Sequence, residues 1–172
     1  AGLVLVNTNP LYTVREMVHQ FNDSGARALL FMDTFGHLVE EVLPQTKIET
    51  VIVSSLGDLL PFTKRLLINT VTRHIKKIIP SFDRSKMIPF REALALGRQH
   101  KNAQPTTLSS PDDVVALQYT GGTTGVAKGA ELTNRNLVSN MLQIDALAQQ
   151  TDDQGRPMRG ENEVAVAPLP LY

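Results

Sequence analysis

The chain has 172 residues, 42% of them hydrophobic and 20% charged, the make-up of an ordinary globular domain with its own core. Seventeen Lys and Arg balance seventeen Asp and Glu, which argues against a nucleic-acid binder, and the lack of cysteine removes disulfides, thiolate catalysis and Cys-ligated metals. No apolar run reaches membrane-spanning length, and no signal-peptide pattern opens the chain.

Leu3-Val-Leu-Val6 is a short β-rich apolar run, as in a strand covered on both faces, and Asn9-Pro10 breaks it. Thr13 with Glu16 spells a capping box, so a helix is predicted from Thr13. Val14, Met17, Val18 and Phe21 give that helix one apolar face, and Gly25 is placed to end it at C′. Ala28 to Met32 reads as a second buried strand. Phe35, Leu38, Val39 and Val42 repeat the helical spacing until Pro44, and Val51 to Val53 is a third strand. This βαβαβ alternation over residues 1–55 implies an α/β fold with a parallel sheet and right-handed crossovers.

Residues 56–110 form a predominantly helical segment. Pro61 to Ile79 reads as one long helix, apolar at Phe62, Leu66, Leu67, Val71, Ile75 and Ile78, with Lys64, Arg65, Arg73, Lys76 and Lys77 on its polar side. Such a helix can lie on an anionic membrane surface, or can be a core helix with a solvated positive face. Phe90 to Gly97 is a short helix, and Arg98 to Ser110 a polar connector. Asp112 and Asp113 suit metal or acid–base work, but their setting before a strand favours turn formation and solvation. His19, His37, His74 and His100 form no i, i+4 pair and read as surface or helix-packing residues, not zinc ligands.

The chemistry lies in residues 111–172. The apolar run Val114 to Leu117 feeds Tyr119-Thr-Gly-Gly-Thr-Thr-Gly-Val-Ala-Lys-Gly129. Gly121, Gly122 and Gly125 let the backbone turn and approach a ligand closely. Thr120, Thr123 and Thr124 add hydroxyls, and Lys128 a flexible point charge. Successive backbone N–H groups in such a loop suit a polyphosphate. It is neither a Walker loop, since Gly129 follows Lys128 where a hydroxyl belongs, nor G-x-G-x-x-G. Thr133 can cap a helix running to about Gln150, with Leu137, Met141, Ile144 and Ala148 inward. Thr151 to Asn162 is a predicted surface loop and Val164 to Ala167 a last buried strand.

The stretch from Tyr119 to Gly129 resembles the phosphate-binding signature of the adenylate-forming superfamily, Tyr-Thr-Ser-Gly-Thr-Thr-Gly-x-Pro-Lys-Gly. That superfamily includes acyl-CoA synthetases, the adenylation domains of peptide synthetases, and luciferases. The chain departs from the signature at Gly121 and Ala127, both small. Its opening, Ala1 through Asn9-Pro10 to Thr13, resembles the family's segment upstream of that loop. Within the superfamily the chain is most similar to bacterial long-chain fatty-acid–CoA ligases. The Gly121 and Ala127 variants, Asn9 to Thr13, and Pro168 to Tyr172 carry that likeness. Glu131 stands at a position commonly apolar in the family, and Asn134 replaces its usual histidine, which bears on packing beside the loop.

The resemblance implies a two-step reaction. A fatty carboxylate attacks the α-phosphate of ATP, giving acyl-adenylate and pyrophosphate, and the CoA thiol then displaces AMP. It assigns Tyr119, Thr120, Gly121, Gly122, Thr123, Thr124, Gly125, Val126, Ala127, Lys128 and Gly129 to ATP, with Lys128 supporting adenylation and Thr120 helping to hold Mg2+. No general base is required, because the carboxylate is already ionised at neutral pH. On this reading residues 1–172 are an internal fragment of the N-terminal ATP- and acyl-binding domain. Its C-terminal domain is absent, the expected location is the cytoplasm or the inner face of the membrane, and the fragment alone is inactive. Another adenylating enzyme (aryl, short-chain or amino-acid) or a non-catalytic nucleotide-binding module would share the loop.

Overall fold

The computed structural model describes residues 2–100, 110–120 and 126–149. In chain order they form β1 (Leu5–Val6), α1 (Val14–Asp23), β2 (Ala28–Met32), a 3-10 turn (Asp33–Phe35), α2 (Gly36–Val42), a second 3-10 turn (Leu43–Gln45) and β3 (Thr50–Ser54). Then come α3 (Phe62–Thr70), a π turn (Val71–Ile75), β4 (Ile88–Pro89), α4 (Phe90–Gln99), β5 (Val114–Thr120), β6 (Lys128–Thr133) and α5 (Asn134–Ala148). Two units result. One holds Ala1–Asn7, Pro105–Thr123 and Lys128–Tyr172; the other holds Thr8–Gln104 and Thr124–Ala127.

In the second unit β2, β3 and β4 make a parallel sheet, with Ala28 to Met32 paired against Thr50 to Ser54 and Ile52 against Ile88. The expected alternation is therefore an α/β sheet, with one correction. β1 is not part of it and pairs instead with β5. A second correction concerns faces. Phe31, Val51 and Val53 are buried with Val39 of α2, whereas Leu30 and Met32 on the opposite face of β2 stand exposed. α1 and α2 bring Met17, Phe21 and Val42 together in a second buried cluster, with Leu29 of β2 packed against it. Leu3, Val4 and Leu5 are likewise exposed, and among the described residues β1 pairs with β5 alone.

Local chemistry accounts for both ends of α1. The Glu16 amide donates to Thr13 Oγ1 at 3.4 Å, and the Glu16 carboxylate accepts from the Thr13 amide at 2.7 Å, closing the predicted box. These hydrogen bonds from the Thr13 backbone and then its hydroxyl hold the Glu16 carboxyl below its usual range. Gly25, at φ +64°, takes the left-handed position just beyond the helix.

The connection from β2 into α2 is built on a buried charge. Asp33 is fully buried, and its Oδ2 accepts from Ser55 Oγ at 2.7 Å and from Arg84 Nη2 at 3.2 Å. The Arg84 guanidinium lies 4.5 Å over the ring of Phe82, which meets Phe31 edge-on at 6.1 Å. That ring occupies the space of a side chain at Gly36, where a Cβ would come within 2.1 Å of it. Gly36 is thus excluded from carrying a side chain by packing, since its backbone is ordinary helix.

The long helix expected over Pro61 to Ile79 is shorter and interrupted. α3 passes at Val71 into a π turn, where the Lys76 amide donates to the Val71 carbonyl, and Lys77 at φ +50° lies beyond it. Thr72 is buried within the turn and its hydroxyl donates back to the carbonyls of Ile68 and Asn69. Phe62, Leu66 and Leu67 are exposed, so α3 presents its apolar residues as well as its basic ones.

Candidate functional site

The first unit contains the sheet β1-β5-β6. β5 and β6 form an antiparallel hairpin whose ladder runs to Tyr119 opposite Gly129 and Thr120 opposite Lys128. The glycine- and threonine-rich stretch thus joins the two strands at that end. Gly121, Gly122, Thr123, Thr124 and Gly125 lie outside the described residues. β1 runs parallel to β5, with Leu5 beside Ala116 and Val6 beside Leu117. Leu5–Val6 of the opening stretch thus lies beside the strand that leads into Tyr119.

Strand alternation divides the labour at the hairpin end. Tyr119 is 7% exposed and turns its ring onto Gly129, where a Cβ would sit 2.9 Å from Cε2 and 3.0 Å from Cζ. A side chain at 129 would therefore have to displace the end of the Tyr119 ring. Thr120 and Lys128 face each other across the ladder and are both exposed. Directly opposed residues lie about 5 Å apart at Cβ, so a hydroxyl and an ammonium stand side by side at the loop's base. Val126 is exposed, while Ala127 is half-buried and its carbonyl lies 3.0 Å from His19 Nε2. His19 is half-buried on α1, 108 residues away, and nothing in its own sequence surroundings marks it.

The flanks of the hairpin are fastened by polar groups. Asp113 accepts from the Ser110 amide at 2.6 Å, and Asp112 accepts from Arg135 Nε at 3.0 Å, which is turn-forming and surface work as expected. Thr133 caps α5 with Asn136 returning the bond, the Thr133 amide donating to Asn136 Oδ1 at 2.9 Å. Asn134, at the position where the family usually has histidine, donates to the Ser110 carbonyl. Leu137, Met141 and Ile144, expected to point inward, are exposed. Val164 to Ala167 and Pro168 to Tyr172 lie outside the described residues, as does the side chain of Ala148.

Among the described residues no three His, Cys, Asp or Glu side chains gather as a metal site, and His37, His74 and His100 are exposed. The second unit has a cleft of about 180 Å³ beyond the end of β3, between Ser55, Arg84 and Arg91. Its cations are engaged already, Arg84 with Asp33 and Arg91 with the Asp58 carbonyl.

Comparison with known proteins agrees with this arrangement. The family described as "AMP-binding enzyme" matches residues 1–172. The long-chain-fatty-acid–CoA ligase of Escherichia coli O157:H7 is 42% identical over 172 residues, covering all of this chain and 29% of that protein. The enzyme of the same name from Haemophilus influenzae is 41% identical over 175 residues, again across the whole chain and 30% of its own length. The chain thus spans under a third of these relatives. Among solved structures, the anthranilate CoA ligase AuaEII in complex with anthranoyl-AMP superposes with a TM-score of 0.53 at 22% identity. That match covers 78% of this chain and 21% of that one, a likeness of fold. With its whole length matched by the family's sequence pattern, the chain belongs to the AMP-binding enzymes.

Proposed function

We propose that this chain is the phosphate-loop part of an AMP-forming ligase that activates a long-chain fatty acid with ATP and passes the acyl group to CoA. The observation that carries the reading is the exposed pair Thr120 and Lys128 at the base of the Gly/Thr connection, in a chain of this family. The fatty carboxylate attacks the α-phosphate, and negative charge gathers on the departing pyrophosphate. Backbone N–H groups from Gly121 to Gly125, the Thr123 and Thr124 hydroxyls and the Lys128 ammonium receive that charge on the β- and γ-phosphates. Mg2+, when bound with ATP, would supply further screening of phosphate charge. It commonly takes few protein ligands and several from phosphate and water, so the Thr120 hydroxyl fits as one neutral ligand.

The test uses the full-length protein carrying this chain. Pyrophosphate exchange should be fastest with long-chain fatty acids and slow with short-chain, aryl and amino acids, and the 172-residue chain alone should form no acyl-CoA. Preference for an aryl or amino acid would move the chain to another branch of adenylating enzymes. ATP binding without exchange for any acid would make it a nucleotide-binding module.

The same reading extends to α3 as a peripheral contact with an anionic membrane. Phe62, Leu66 and Leu67 are 59–67% exposed, Lys64 and Arg65 share α3 with them, Arg73, Lys76 and Lys77 follow in and after the π turn, and no acidic residue occurs between Pro61 and Phe82. Each such cation contributes about 1 kcal/mol near an anionic surface. The full-length protein should co-sediment with vesicles of anionic phospholipid and not with neutral ones. Reversing Lys64, Arg65 and Arg73 to Glu should abolish this, and unchanged sedimentation would remove α3 from the contact.

A further inference from the structure

We propose that His19 is a positioning residue for the phosphate loop, holding the peptide that leads into Lys128. Its Nε2 lies 3.0 Å from the Ala127 carbonyl oxygen. A carbonyl can only accept, so Nε2 carries the proton in this contact. The Ala127 C=O and the Lys128 N–H share one planar trans peptide. Fixing the direction of one fixes the other, and with it the point from which the Lys128 side chain departs.

The anchor is rigid. His19 sits in the middle of α1, whose first turn is closed by the Thr13–Glu16 box and whose Met17, Gln20 and Phe21 are buried around it. Ala127 groups with Thr8–Gln104, the unit of α1. The superfamily signature has proline at 127, whose ring sets φ. Ala127 lacks that ring, and the bond from His19 acts on the other side of its Cα, on the carbonyl that ψ directs, so it restrains the peptide that follows. The inference rests on reading Tyr119 to Gly129 as the ATP loop, so its test needs one arm that does not depend on ATP.

The experiment compares wild type, His19→Ala and His19→Gln in the full-length protein, the glutamine amide being able to donate in place of Nε2. Without nucleotide, hydrogen–deuterium exchange of the peptide spanning Tyr119 to Gly129 should quicken in His19→Ala and return towards wild type in His19→Gln. In pyrophosphate exchange His19→Ala should raise the KM for ATP about 3- to 10-fold, as for one lost hydrogen bond. The KM for the fatty acid should not change, and His19→Gln should recover most of the loss. In a Lys128→Ala background His19→Ala should have little further effect, because both act through one group. Unaltered deuterium exchange in His19→Ala would overturn the anchor. So would a glutamine variant no better than alanine, which marks a packing role only. Faster deuterium exchange with an unchanged KM for ATP would overturn the positioning of nucleotide. A wild-type protein inert towards ATP would sink the ATP-loop reading itself, and the deuterium arm would still decide whether His19 holds the peptide.

Discussion

Lys128→Ala in the full-length protein lowers pyrophosphate exchange about 10- to 100-fold and leaves the unfolding midpoint where it was. A hydrogen bond to a charged group contributes about 1.5–3 kcal/mol, and each 1.4 kcal/mol is a factor of ten in rate. Charge on the leaving pyrophosphate grows along the reaction, so the ammonium acts more strongly in the transition state than on bound ATP. The fold is insulated from the change because Lys128 is exposed and opens β6, and its ladder partnership with Thr120 uses backbone groups that alanine retains. Lys128→Arg should recover only part of the rate, since a planar fork does not reach the same point as a compact ammonium. Exchange at the wild-type rate in Lys128→Ala would remove this side chain from the mechanism.

Arg84→Met should destabilise the protein by about 2–3 kcal/mol, read as a lowered urea midpoint. Breaking a buried ion pair from one side costs about 3–5 kcal/mol, and the partial exposure of Arg84 places it towards the lower end. The Asp33 side chain is 1% exposed against 34% for Arg84. Its Oδ2 would keep only the Ser55 hydroxyl, and its Oδ1 has no hydrogen-bond partner at all among the described residues. The substitution also lifts the guanidinium from the face of Phe82, loosening a ring that packs against Phe31 and closes over Gly36. Pairing Arg84→Met with Asp33→Asn should cost less than the sum of the two, because the second change removes the stranded charge. A midpoint shift equivalent to less than about 0.5 kcal/mol, the range of an ordinary surface change, would refute the argument.

Much of this molecule was readable where the controlling interactions are local. Thr13, Glu16 and Gly25 specify α1 from both ends within one short window, and Thr133 does the same for the start of α5 with Asn136 as its return partner. The apolar runs located β2 and β3. They could not say which strand lies beside β1, because an exposed edge run such as Leu3 to Val6 looks the same whether its neighbour is β2 or β5. The π turn in the long basic helix depends on how Thr72 bonds its own backbone, which spacing does not encode. Of the candidate site, the motif marked the stretch Tyr119 to Gly129, but the pairing of Thr120 with Lys128 comes from a strand, β6, that the apolar pattern did not announce. The buried bonds from Asp33 to Arg84 and the contact of His19 with Ala127 span 51 and 108 residues, and no local pattern announces them.

The bulge in β5 has its own consequence. Between Val114 and Ala116 this strand advances two residues while β6 advances one, from Thr133 to Leu132. The register with β6 therefore shifts at Val115, and the half of the strand that ends in Tyr119, buried, and Thr120, exposed, keeps its own phase. A residue gained or lost before the irregularity would rotate only the segment that meets Asn134 and Arg135. One gained or lost after it would swap the tyrosine for the threonine, burying the hydroxyl and pushing the ring into water. Length variation is thus tolerable on one side of Val115 and ruinous on the other.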